Sequence, residues 1–295
     1  MAFLSEHATP SDASPMAPPA SDRPPVRLNR DRTISPTLLK AFQECPHQVR
    51  LRYIDHLQTP RQYNHHLSQG RIAHDLLAMV ARRMQRGIPL PTRSELHDLA
   101  RRRVPHGEFP TPEAHADAVR QIVRWAETGA MYLQRDPDGQ IMRIERPLTR
   151  AFGQDDPLQV SFRPDLVRWT ADADGEYLEI IDYKTGKRWL ADDVGVIARF
   201  VINGWLEREG NRAWQVPVRF TWVWLDRGER DSVGLDPETC TAPWQAVTAV
   251  VERLFAETAW LPTPSHRCRW CPFYRNPCRA ADTASPGLLF EGPGD

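Results

Sequence analysis

The stretch Ile180-Ile181-Asp182-Tyr183-Lys184-Thr185-Gly186-Lys187 puts two opposite charges at the end of an apolar strand. Side chains alternate between faces along a strand, so Leu178, Ile180, Asp182 and Lys184 share one side. A carboxylate and an ammonium there are costly to bury unless they pair or bind something. Lysine is itself scarce: among 38 basic residues, only Lys40, Lys184 and Lys187 are not arginine. The preceding strand, 158–169, carries Asp165, and Ala173-Asp174-Gly175 joins it to the strand over 177–183. A turn centred on Ala173 and Asp174 sets Asp165 across from Asp182. Moving that turn centre by one residue, a two-residue change of register, sets it across from Lys184, and in either register it stays on the same face. Two carboxylates that close repel unless a cation separates them, and oxygen ligands suit Mg²⁺ or Mn²⁺. The same residues would also serve as a surface hairpin laced by an ion pair.

Around this hairpin the pattern alternates between helical and extended. Residues 1–33 are rich in Ala, Pro, Ser and Asp and bury too little to repay ordering, so a disordered tail is expected, with a second flexible tail over 281–295. Ser35-Pro36 is an N-cap and first-turn pair ahead of Leu38, Leu39 and Phe42. Cys45-Pro46 interrupts that helix, which resumes over 48–54. Ile72, Leu76 and Val80 recur at helical spacing, predicting a helix over 70–86 that carries His74 in line with Gly70, Leu77 and Ala81. Small neighbours there would let the helix approach a sheet. Another helix follows Pro112. Strands are expected over 141–148, which contains Glu145, and over 158–169, 177–183 and 216–225. Helices are expected over 192–208 and 244–259. This is one α/β domain over 34–280: a helical part to 135, a core over 141–260 and a cysteine-rich end over 261–280.

Three of the five cysteines form Cys268-x-x-Cys271-x₆-Cys278, too compact a cluster to read as disulfides in a chain expected to be cytoplasmic. A tetrahedral site needs a fourth thiolate. Cys45, at its helix break, is the better candidate; Cys240, in an Asp/Pro/Glu/Thr stretch, is the poorer one. The spacing alone admits zinc and [4Fe–4S] alike.

Acidic and basic residues balance at 38 each, which excludes attachment to a polyanion by bulk charge while permitting a basic groove. Arg82 to Arg103 is locally basic, as are the arginines around the cysteines and Lys187-Arg188, and Trp270, Phe273 and Tyr274 offer aromatic surface. No apolar run is long enough to span a membrane.

Asp165, then a hairpin, then Ile181-Asp182-Tyr183-Lys184-Thr185-Gly186-Lys187 resembles the central motif of the PD-(D/E)XK nuclease superfamily. Gly70-x-x-x-His74 and Glu145 resemble its RecB-type branch, which includes helicase–nuclease subunits and CRISPR-associated iron–sulfur nucleases. The likeness spans about 34–280. Phe162-Arg163-Pro164-Asp165 departs from the usual Gly-x-x-Asp, and Val196 to Phe200 lacks the usual Gln-x-x-x-Tyr.

The resemblance implies a restriction-endonuclease-like core, a central mixed sheet flanked by helices, with a helical N-terminal elaboration and a C-terminal cluster region. It implies a metal-dependent DNA nuclease acting on ends or single strands. His74, Asp165, Asp182 and the Tyr183 carbonyl would hold Mg²⁺ or Mn²⁺, with Glu145 as a further ligand and Lys184 orienting the attacking water. Cys45, Cys268, Cys271 and Cys278 would hold a structural [4Fe–4S] cluster, and a helicase or CRISPR-associated protein would be the partner. The competing readings are a catalytically inactive nuclease fold that binds DNA as an assembly subunit, and a zinc scaffold.

Overall fold

The computed structural model describes residues 26–58, 65–136, 138–152, 158–186, 201, 217–235 and 237–280. Helices α1 (Pro36–Glu44), α2 (Pro46–Val49), α3 (His65–Gln85), α4 (Arg93–Arg103) and α5 (Pro112–Gln134) come first. Strands β1 (Gln140–Ile144), β2 (Leu148–Phe152), β3 (Leu158–Phe162), β4 (Leu166–Asp172), β5 (Gly175–Lys184), β6 (Val218–Trp224) and β7 (Glu229–Leu235) follow, then α6 (Pro237–Ala256). Ser35 caps α1 as expected, its Oγ accepting from the Leu38 N–H at 3.2 Å. None of the described helices is long and apolar enough to cross a membrane.

The chain divides into two compact units. The larger comprises Asn29–Lys40 and Arg61–Leu254; the smaller comprises Met1–Leu28, Ala41–Pro60 and Phe255–Asp295. In the larger unit five strands form one sheet in the order β1-β4-β5-β6-β7. Only β5 and β6 run parallel; the other neighbours are antiparallel. Ile72, Leu76 and Val80 of α3 and Val119, Ile122 and Ala126 of α5 pack with Leu166, Ile181, Tyr183 and Val223 of the sheet in one buried cluster. This is a mixed sheet flanked by helices, the architecture expected of a restriction-endonuclease-like α/β core. The helix expected over 192–208 lies outside the described residues, except for Val201, which is helical and buried.

Three expectations change. The segment 158–169 is two strands, because Pro164 cannot donate to a ladder, and the break falls immediately before Asp165. The strand over 141–148 ends at Ile144, where Glu145 takes a left-handed φ of 52° and the chain turns into β2, which pairs with β3 instead. Helix α6 starts at Pro237, a favoured first-turn residue, so Cys240 lies on a helix rather than in a loop.

Under the helices a polar network ties four elements together. The Arg168 guanidinium donates to Glu179 at 2.9 Å and to the Leu133 carbonyl at 3.3 Å. The hydroxyls of Tyr132 and Thr221 donate to the same Glu179 carboxylate at 2.5 and 2.9 Å. Arg168 and Glu179 are both buried, and only this degree of pairing makes such burial tolerable.

In the smaller unit Trp260 is fully buried. Its indole donates to the Val26 carbonyl at 2.6 Å, and its own carbonyl meets His47 Nδ1 at 3.1 Å. Phe42 packs edge-on against it. Phe273 is buried too, so of the two roles open to an aromatic there, packing and base stacking, it takes packing.

Helices α3 and α5 cross closely because Gly129 has no side chain: a Cβ there would overlap the Leu77 methyls. Gly129→Ala should therefore destabilise the fold by about 1–3 kcal/mol. A thermal melt would show this as a fall of several degrees, and an unchanged Tm would refute the packing argument.

Candidate active site

The Cα register of β4 and β5 is constant from Leu166 opposite Ile181 to Asp172 opposite Gly175, with the turn at Ala173 and Asp174. Continued by one residue it sets Asp165 across from Asp182, the first of the two registers considered. Asp165 lies just outside the strand but is held as if in it. Its N–H donates to the Ile181 carbonyl at 3.1 Å, and its carbonyl accepts from the Glu145 N–H at 3.0 Å. Its carboxylate accepts from the Tyr183 N–H at 2.5 Å through Oδ2 and contacts His74 Nδ1 at 2.8 Å through Oδ1.

His74 reaches this point because α3 comes down hard on the end of β5. A Cβ on Gly70 would lie 3.0 Å from the Thr185 hydroxyl, and His74 stands one turn further along the same face. The Tyr183 ring meets the imidazole edge-on at 6.3 Å. Glu145 arrives from the end of β1 in its left-handed conformation, which costs a non-glycine residue on the order of 1–3 kcal/mol. Within 4.8 Å of one another lie ligand atoms of His74, Glu145 and Asp165, the only such group of His, Cys, Asp and Glu among the described residues.

Asp182 and Lys184 form a close ion pair beside them. The Asp182 oxygen in this pair, Oδ2, is buried. Burial raises the Asp182 carboxyl above its usual range, and the Asp165 charge adds to this, while Lys184 and His74 oppose it. Glu145 is raised for the same two reasons, burial and the Asp165 charge. At His74 burial opposes protonation, but the hydrogen bond and charge of Asp165, with Asp182 and Glu145 behind it, outweigh burial and raise the imidazole. Three carboxylates are thus crowded into one half-buried spot against too little positive charge, which is the electrostatic condition a divalent cation relieves. Two carboxylates and an imidazole with ligand atoms within 4.8 Å of one another, beside the buried Asp182 carboxylate, fit Mg²⁺ or Mn²⁺.

The sequence reading noted Arg163 only as a departure from the usual motif. Its guanidinium lies 4.0 Å from the Glu145 carboxylate and is largely exposed. Its position two residues before Asp165 was the available signal. Lys187, Arg188 and the stretch Val196 to Phe200 lie outside the described residues.

The smaller unit holds a second constellation. Cys45 sits in extended conformation between α1 and α2, at φ −163° and ψ 102°, so the break at Cys45-Pro46 does turn it out of the helix. Cys45, Cys268, Cys271 and Cys278 line one cavity of about 180 Å³ with His47 and Trp270. The Thr263 N–H donates to Cys45 Sγ at 3.5 Å and the Ser265 N–H to Cys268 Sγ at 3.4 Å. Burial raises the Cys271 thiol, a backbone hydrogen bond from Phe273 opposes this, and the neighbouring Cys45, Cys278 and Cys268 raise it further. Four sulfurs around one cavity, Cys45 and Cys268 among them accepting from backbone N–H groups, form a donor set suited to a thiolate-bound metal group.

A sequence profile of the PD-(D/E)XK nuclease superfamily matches residues 33–279. No curated protein matches. A solved structure titled "Crystal structure of SSO0001" aligns over 84% of this chain and 86% of its own, at 12% identity and a TM-score of 0.39.

If the crowded carboxylates await a cation, Mn²⁺ at about a hundredfold over its Kd should raise the Tm by roughly 5–10 °C. Asp182→Asn should remove that rise while leaving the metal-free Tm equal or higher, since it relieves repulsion. Scanning calorimetry with and without Mn²⁺ checks both, and a full Mn²⁺ shift in the variant would rule Asp182 out as a ligand.

Proposed function

The chain belongs to the PD-(D/E)XK nuclease superfamily, and on that premise we propose that it is a metal-dependent deoxyribonuclease of the RecB-type branch, acting on DNA ends or single strands, with a structural [4Fe–4S] cluster. The observation that carries the reading is the convergence of His74, Glu145 and Asp165 from α3, the end of β1 and the start of β4, beside the Asp182–Lys184 pair of β5. Nucleases of this superfamily use Mg²⁺ or Mn²⁺ to hydrolyse phosphodiester bonds.

In this reading Asp165, Asp182, His74 and the Tyr183 carbonyl hold the metal, with Glu145 as a further ligand. When bound, the ion polarises the scissile phosphate and lowers the pKa of a water. The chain's own groups do the positioning. The Tyr183 N–H and His74 each engage one oxygen of Asp165, which fixes the plane of that carboxylate. Lys184, about one-third exposed, carries a compact charge toward solvent from the same strand face as Asp182. It can orient a nucleophilic water and offset charge developing on the phosphate. Arg101, Arg102 and Arg103 lie exposed along the end of α4 and supply a basic surface for the rest of the strand.

The cysteine cavity supports the cluster part of the reading. A single zinc ion bound at about 2.3 Å by four thiolates would draw the sulfurs to within about 4 Å of one another. No three of the four lie within 4.8 Å among the described residues, and the cavity is far larger than one ion. A cluster with several irons suits that spacing better.

Anaerobically purified protein should degrade end-labelled DNA with Mg²⁺ or Mn²⁺ and not with EDTA. Lys184→Ala should lower the rate on the order of 10²- to 10³-fold while DNA affinity changes only a few-fold. Circular DNA beside linear DNA tests the need for ends, and cleavage undiminished in Lys184→Ala would overturn the assignment. In the same preparation, iron, labile sulfide and a broad visible absorbance should be present and should be lost in Cys45→Ala. Stoichiometric zinc without iron would replace the cluster reading with a zinc site.

A further inference from the structure

Between Thr258 and Ala280 the chain has no acidic residue and four arginines, Arg267, Arg269, Arg275 and Arg279, all exposed. In the middle of this stretch Trp270 is 61% exposed, and among the described residues no other tryptophan is so open. A single exposed apolar side chain is ordinary on a protein surface, so the case for Trp270 rests on its fixed position among these arginines. The local backbone shows that Trp270 is not a frayed side chain. It ends a 3₁₀ turn, His266–Trp270, whose start is fixed by reciprocal capping between Ser265 and Cys268. Cys271 follows directly, its N–H bonded to the Cys268 carbonyl at 3.0 Å. Trp270 thus stands in sequence between two cavity-lining cysteines and itself lines that cavity. The Arg269 guanidinium lies over one ring face at 3.7 Å, and His266 meets the ring edge-on. Arg267 is tied to Glu44, which anchors the turn to the end of α1.

We propose that Trp270, backed by Arg269, is a stacking platform for a base of single-stranded DNA on the surface of the cysteine unit. A rigid, pre-positioned indole loses little side-chain entropy on stacking, and every base offers a π-face, so contact is strong and indifferent to sequence. The guanidinium on the indole keeps its N–H edges available to phosphate oxygens, and the surrounding arginines supply complementary charge. Phe273 takes no part, being core, and Tyr274 is half-buried beneath Arg275. The inference rests on the nuclease reading for its choice of DNA, but its test does not use cleavage.

The test is fluorescence anisotropy with full-length protein in EDTA, using labelled oligo-dT, the same length of abasic strand, and oligo-rU. Trp270→Ala should weaken oligo-dT binding about five- to a hundredfold, and Trp270→Phe should recover most of that loss. On the abasic strand wild type and Trp270→Ala should bind alike. Unchanged affinity of Trp270→Ala for oligo-dT would overturn the proposal. So would an equal loss in the phenylalanine variant, an undiminished penalty on the abasic strand, or tighter Trp270-dependent binding to oligo-rU than to oligo-dT. Because binding is read without metal, a protein that stacks DNA yet fails to cut it with Mn²⁺ would sink the nuclease reading alone.

Discussion

The antiparallel pairing of β4 with β5 is the constraint on which the candidate site depends. Its register sets Asp165 across from Asp182, and the same ladder aims the Tyr183 N–H at the Asp165 carboxylate. A slip of one residue would turn every side chain of β5 over, sending Asp182 and Lys184 into the helix-covered face and Tyr183 out of it. The apolar partition guards against that slip: Ile181 and Tyr183 belong to the cluster under α3 and α5. The buried Arg168–Glu179 pair adds a second lock, because any other register would strand two charges.

The site is electrostatically unsatisfied by construction. Asp182 and Asp165 are mostly buried, Glu145 is held in a strained backbone conformation, and the raised carboxyls of Asp182 and Glu145 measure the cost. Such an arrangement persists because the surrounding sheet and helices over-determine it. His74, Lys184 and the more exposed Arg163 provide partial compensation, and in the proposed reading the remaining carboxylate repulsion would favour a bound cation.

The smaller unit solves a different problem. Its described residues come from stretches far apart in sequence, yet Trp260 ties Val26, Phe42 and His47 together. A unit assembled from chain ends carries a high closure entropy. In the proposed reading, a cluster held by the four cysteines around this cavity would cross-link the unit more strongly than so small a core does, and its loading would be coupled to folding.

The Asp165…Asp182-x-Lys184 pattern, the helical stripe through Ile72 and Val80, the break at Cys45-Pro46 and the C-terminal cysteine spacing were legible in the residues, because each rests on local periodicity or local backbone chemistry. Strands β2 and β7 were not. One is two residues removed from a turn at Glu145, and the other is a charged, glycine-containing edge, and edge strands carry little apolar alternation. The choice between packing and stacking for Phe273 was open for a related reason, since sequence spacing does not say which aromatic ring goes inward. What tertiary structure alone decided was convergence. Gly70 against Thr185 lets His74 reach Asp165, and the turn at Glu145 carries a third carboxylate to the same point. Contacts across such separations depend on how the helix seats on the sheet, a property of the packed whole that no single segment encodes.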